Sequence, residues 1–171
     1  MYSKTLRLGL ISILLLSLLA SCTAPLRTDA SSFEARLREG SAFAITRWFC
    51  RSNNELLATA DDGSEEYLLS FTVDKSGYLE KMKLCCDLEQ TDKEKFLSDI
   101  AFFCLAFNNR PLDEKVHTEI KKTSIGRSKE GYCKAKDALC EYGILFIGTT
   151  AVFTVAPISV IYQSSLSISS G

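Results

Sequence analysis

Residues 67–86 read YLLSFTVDKSGYLEKMKLCC. Tyr67, Leu69, Phe71 and Val73 alternate with Leu68, Ser70 and Thr72, the period of two that places successive side chains on opposite faces of a strand. Asp74-Lys75-Ser76-Gly77 is a polar turn ending in glycine, and Tyr78–Cys86 returns as the hairpin partner. Beyond it, Thr91 with Glu94 three residues on matches a capping box, and Phe96, Ile100, Phe103, Cys104 and Phe107 recur at helical spacing. Such a stripe is the core face of a helix lying on a sheet rather than a ligand site.

Working outward, Ser31 and Glu34 form a second capping box, opening a short helix that Gly40 ends. Ala42–Cys50 is expected as a strand, with Phe43, Ile45 and Phe49 on one face and Trp48 on the other. A weaker strand over Leu56–Thr59 lies between the turn signals Asn53-Asn54 and Asp61-Asp62-Gly63. Past the main helix, Asn108-Asn109-Arg110-Pro111 is a stop, Val116–Ile120 is expected as a strand, and Gly126 and Gly131 bracket a basic loop before a helix starting near Tyr132. These elements predict an α+β fold: a small antiparallel sheet packed by one main helix, with a C-terminal apolar segment. The order hairpin, helix, strand over residues 67–120 resembles the C-terminal module of TonB and TolA, through Phe71-Thr72-Val73-Asp74, Gly77 at the turn, the helix, and Arg110-Pro111. That resemblance implies docking onto an envelope protein partner.

The N-terminal segment has a different character. Lys4 and Arg7 precede an apolar run from Leu8 to Leu19, and small residues Ala20 and Ser21 lead to Cys22. The run is about twelve residues, short of the roughly 20 that a spanning helix needs. Leu19-Ala20-Ser21-Cys22 matches a lipobox, so the segment resembles the precursors of bacterial lipoproteins. The resemblance implies a signal peptide over residues 1–21 and a mature chain starting at Cys22, with a diacylglyceryl group on the sulfur and often an acyl chain such as palmitate on the nitrogen. Two or three chains at about 0.8 kcal/mol per buried methylene hold a protein to membrane lipid far more firmly than one. Thr23, where an aspartate would favour retention in the inner membrane, points to the outer membrane, with the protein facing the periplasm. Residues 22–32 form a lipidated polar tether.

About 150 residues remain, enough for one domain, read as an α+β domain over 33–125 and a loop and helix over 126–142. An apolar segment over 143–162 and a polar tail over 163–171 follow. Twenty Lys+Arg against 21 Asp+Glu, with no basic block, argue against a nucleic-acid partner. The chain has no charged residue after Glu141, and the run from Gly143 to Tyr162 has the length of a membrane span. Pro157, the β-branched content and the lack of a basic residue on its far flank favour burial or cover by a partner over insertion.

With Cys22 acylated, Cys50, Cys85, Cys86, Cys104, Cys133 and Cys140 remain, and an oxidising compartment makes them candidates for disulfides of unassigned connectivity. Cys85 and Cys86 would need separate partners, and Cys133 and Cys140, if on one helix, would stand too far apart to bond. The lone histidine, His117, falls on the polar side of its expected strand. No zinc-protease, nucleophile-elbow or phosphate-loop motif is present, and no cofactor other than the covalent lipid on Cys22 is expected. The expectation is a lipid-anchored, non-enzymatic binding or structural module of the bacterial envelope. A thiol-dependent or hydrolytic enzyme is the alternative.

Overall fold

The structure, a computed structural model, describes residues 27–125 and 130–158. Its first helix, α1 (Ala30–Gly40), is capped not by Ser31 but by Asp29, whose carboxylate accepts the Ser32 N–H at 2.8 Å. Aspartate satisfies an orphan donor of the first turn as well as serine does, and it stands two residues earlier. Just before it, Thr28 is buried: its hydroxyl donates to the Phe107 carbonyl and its own carbonyl accepts the Leu79 N–H, both at 2.7 Å. Of the expected tether, residues 22–26 lie outside the described residues, and the remainder is clamped to the domain.

Four strands follow as a meander: β1 (Ala44–Ser52), β2 (Glu55–Asp61), β3 (Glu66–Val73) and β4 (Leu79–Asp87). The β3–β4 turn uses Gly77 at φ 87°, a conformation that a side chain would strain. Tyr67, Leu69 and Phe71 of β3 are buried as their alternation predicts. In β1 the expected faces are exchanged in part. A register irregularity between Ile45 and Arg47 shifts the alternation, so Trp48 packs on Phe33 and Phe71 while Phe49 turns outward. A bulge is invisible to a pattern that assumes strict period two.

Helix α2 (Lys93–Asn108) carries the expected stripe, and Phe96, Ile100, Phe103, Cys104 and Phe107 are all buried. Asp92 caps it, accepting the N–H groups of Glu94 and Lys95, whereas Thr91 turns its hydroxyl to Glu65. Asn109 ends it in the left-handed conformation, φ 52°.

Two expected elements change type. Val116–Ile120 is not a strand but part of helix α3 (Glu114–Ile125), because Asp113 accepts the N–H groups of Lys115 and Val116 as a cap. Val116 and Ile120 stand four apart, a spacing that fits one face of a helix as well as one face of a strand. Residues 67–120 therefore run hairpin, helix, helix. The helix expected near Tyr132 is strand β5 (Glu130–Lys136), with Cys133 and Ala135 buried and Tyr132, Lys134 and Lys136 exposed.

The uncharged run becomes β6 (Cys140–Ile147) and β7 (Thr150–Pro157), a hairpin turning at Gly148, φ 57°. From Gly143 to Pro157 the chain is thus sheet, and residues 159–171 lie outside the described residues. All pairs are antiparallel in the order β1-β2-β3-β4-β7-β6-β5. Each meander starts at one edge and winds inward, and their last strands, β4 and β7, pair at the centre. The α+β class holds, with three helices and an antiparallel sheet of seven strands among the described residues. Tyr67 is ringed by Phe43, Phe96 and Phe103 at 5.3–5.9 Å, while Tyr142 stacks on Phe153 at 6.3 Å. No helix among the described residues is long and apolar enough to cross a membrane.

Candidate functional site

The helices and the buried side chains lie on one side of the sheet, so the register determines what the other side presents. Thr59, Leu68, Cys85, Val152, Leu145 and Tyr132 stand opposite one another in sequence across β2, β3, β4, β7, β6 and β5. Leu68 is 46% exposed and Tyr132 49%. Phe49 and Leu57, themselves a cross-strand pair, widen this apolar band toward β1, and Ile147, 59% exposed, widens it near β5.

The band separates charges of opposite sign. Two residues along the same strands on one side stand Asp61, Glu66 and Asp87, and two residues along on the other stand Lys83 and Lys134. Lys81 and Lys136 lie one row beyond those lysines, in a row that Glu55 and Glu141 share. Lys134 pairs with Glu141 at 3.0 Å, which raises its pKa, whereas Lys81 and Lys83 have no ion pair among the described residues. The phenol end of Tyr132 lies against Gly143: a Cβ there would stand 3.0 Å from the phenol oxygen. Glycine in a strand allows this approach, and the ring covers the backbone that a side chain would otherwise shield. Lys81, Lys134, Glu141 and Thr154 close a shallow depression of about 280 Å3 around it.

On the helix side, two polar clusters break the core. In the first, the Tyr67 hydroxyl donates to Asp99 at 2.7 Å, and Lys95 bridges Asp99 and Asp62 at 2.9 and 3.1 Å. Burial pushes the Asp62 carboxyl up, but hydrogen bonds from Ser64, the Glu65 N–H and Lys95 outweigh it and hold the group low. In the second, Asp137 accepts from Arg110 at 2.7 and 2.9 Å, from the Tyr142 hydroxyl at 2.8 Å, and from the Leu139 and Cys140 N–H groups. Burial, then the neighbouring aspartate, pushes both tyrosines well above the ordinary phenol range. Neither cluster was legible beforehand. Asp99 interrupts the stripe of α2 at i+4 from Lys95, a signal for the first, while the second joins residues distant in sequence.

The cysteines scatter. Cys50 is exposed on edge strand β1, Cys85 is on the bare face, Cys86 is on the core face, and Cys133 is buried on β5. Cys133 and Cys140 lie on two strands, not on one helix. Cys104 and Cys140 are both fully buried beside the Arg110–Asp137 pair. All six are free thiols, and burial pushes up Cys85, Cys104 and Cys140, and Cys86 to about 12. Cys22 precedes the described residues. His117 sits on α3 with Nε2 donating to the Leu97 carbonyl at 2.8 Å, a structural use of the ring. Among the described residues no group of His, Cys, Asp or Glu is placed to hold a metal ion. Compared with known proteins, the chain matches no family model, no curated protein and no solved structure.

Proposed function

We propose that this chain is a lipid-anchored, non-enzymatic binding module of a bacterial envelope, held by acyl chains on Cys22, that presents the bare face of its sheet to another protein. The observation that carries the binding reading is the apolar band of exposed Leu68 and Tyr132 with half-buried Cys85, Val152 and Leu145 between them, flanked by an acidic row and by lysines. Contiguous apolar surface with a polar rim is the mark of an interaction site. The two rows favour a protein over a bilayer, because anionic headgroups would repel Asp61, Glu66 and Asp87 as they attracted Lys81 and Lys83. The partner that fits is a protein with an apolar ridge flanked by base on one side and acid on the other. The raised thiols of Cys85, Cys86, Cys104 and Cys140 speak against nucleophilic chemistry by those four cysteines at neutral pH. The anchor reading rests on the lipobox and on the need for a thiol to carry a thioether-linked lipid.

Site-specific photo-crosslinking in cells tests the face. A probe at Leu68 or Leu145 should yield one discrete adduct, and a probe at Lys122 on α3 none. Changing Glu66 and Asp87 together to Lys should reduce the adduct at least tenfold. Adducts equally strong from Lys122, or indifferent to the charge reversal, would remove the binding reading. For the anchor, Cys22→Ser should leave an unprocessed, unacylated precursor; normal processing and membrane retention would refute it.

A further inference from the structure

The start of the described chain is fixed at one end of the sheet. Thr28 is held there by Leu79, the first residue of β4, and by Phe107, near the end of α2. Arg36 donates to the Thr28 hydroxyl and to the Ala106 carbonyl, both at 2.8 Å. The Arg27 guanidinium lies over the Tyr78 ring, 5.3 Å from its centre. The turn between β1 and β2 is at the same end, since the Val73 N–H donates to the Asn54 carbonyl at 2.9 Å. So is the turn between β5 and β6, where the Ile158 N–H donates to the carbonyl of exposed Leu139. The opposite end carries the turns around Gly63 and Gly148 and the loop after Asp87. The two ends differ in charge. Near Thr28 acid and base are balanced, with Arg27, Lys75 and Lys81 against Glu55, Asp74 and Glu80. At the far end Asp61, Asp62, Glu66, Asp87, Glu89 and Asp92 outnumber Lys93 and Lys95.

We propose that the membrane meets the domain at the Thr28 end, with the strands upright on the bilayer and the bare face standing clear of lipid. This orientation rests on the anchor reading above. Cys22 is six residues from Thr28. At no more than about 3.6 Å per residue, that segment spans at most about 22 Å whatever its conformation. Along β4, Asp87 stands about 27 Å from Leu79, so an inverted domain would lift Thr28 beyond the reach of a lipidated Cys22. Lying on the bare face would press Asp61, Glu66 and Asp87 onto anionic headgroups, whereas the upright stance holds these acids farthest from them. The described chain also leaves the sheet at the Thr28 end, after Ile158, and residues 159–171 carry no charge that headgroups would repel. In the upright stance the acidic row is outermost, with Lys81 and Lys83 nearer the lipid. A protein seated on the bare face is therefore oriented as well, its basic side away from the bilayer.

The test reconstitutes the acylated protein in vesicles of phosphatidylethanolamine and phosphatidylglycerol that include a lipid bearing a nitroxide on its headgroup. A fluorescent amino acid at Ser76, in the turn before Tyr78, should be quenched about threefold more than one at Ser64 in the far turn or at Lys122 on α3. Quenching at Ser64 or Lys122 as strong as at Ser76 would overturn the orientation. Inserting about twenty Gly and Ser residues after Ala24 should abolish the contrast, because a flexible chain of that length reaches past the far end of the sheet. Contrast that survives the insertion would overturn the tether as its cause. Mass spectrometry of the N-terminal peptide separates these failures from that of the anchor. Acylated protein quenched equally at all three sites loses only the orientation, whereas protein without lipid on Cys22 loses the anchor reading and the orientation with it.

Discussion

Asp137 shows how much one carboxylate can organise. It follows β5, receives five hydrogen bonds from Arg110, Tyr142 and two backbone N–H groups, and joins the loop after α2 to the start of β6. Burial pushes its carboxyl up, but the Leu139 N–H, the Tyr142 hydroxyl, the Cys140 N–H and Arg110 together hold it below the ordinary aspartate range. The folded value therefore lies below the unfolded one of about 3.9. Its stabilisation is complete above that unfolded value and is lost as pH falls through the folded value. Asp62 acts in the same sense. Urea unfolding measured from pH 7 to pH 2 should show stability declining below about pH 4. Asp137→Asn should cost about 2–3 kcal/mol at pH 7, since Arg110 loses its counter-charge, and should flatten the acid limb. A wild-type acid limb no steeper than that of the mutant would refute the assignment.

At the scale of elements, caps decide between alternatives that apolar spacing leaves open. Helix α3 buries only Val116 and Ile120 among its large apolar side chains with described burial, so packing alone holds it weakly. Asp113, closing its first turn on Lys115 and Val116, supplies the local preference for helix. Asp113→Ala should lower stability by about 1 kcal/mol, read from the urea midpoint at unchanged slope. Amide exchange in α3 should quicken more than in the central strands. Uniform loss of protection across the sheet would instead mean that α3 is part of the cooperative core.

For the molecule as a whole, the consequential placement is that of β7, last in chain order yet central in the sheet. Removing everything after Tyr142 would take Ile144, Phe146, Ala151, Phe153 and Val155 from the core and leave β4 without its neighbour. At about 2 kcal/mol per large buried side chain, the loss approaches the 5–15 kcal/mol by which whole domains are stable. The truncated chain should aggregate or bind a hydrophobic dye, with no cooperative melting. A soluble truncation with an unchanged melting temperature would mean that the hairpin is not integral to the sheet.

The β3–β4 hairpin and the stripe of α2 were legible because their apolar residues recur at one period only, and Gly77 marks the hairpin turn by conformational need. Val116–Ile120 and Tyr132–Lys136 were not. Short apolar sets fit either period, and here the cap from Asp113 and a pairing with β6 selected between them. Trp48 and Phe49 exchanged faces because a bulge depends on strand register. The bare face was half visible, since Leu68 already interrupts the polar alternation of β3. Only the strand order placed Val152, Leu145 and Tyr132 beside it and set acid and base on opposite sides. Sequence by itself determined the local elements whose periodicity is unambiguous. Tertiary structure alone decided that an uncharged C-terminal run is the middle of a sheet, because pairing partners far apart in the chain satisfy its backbone and cover its core-facing side chains.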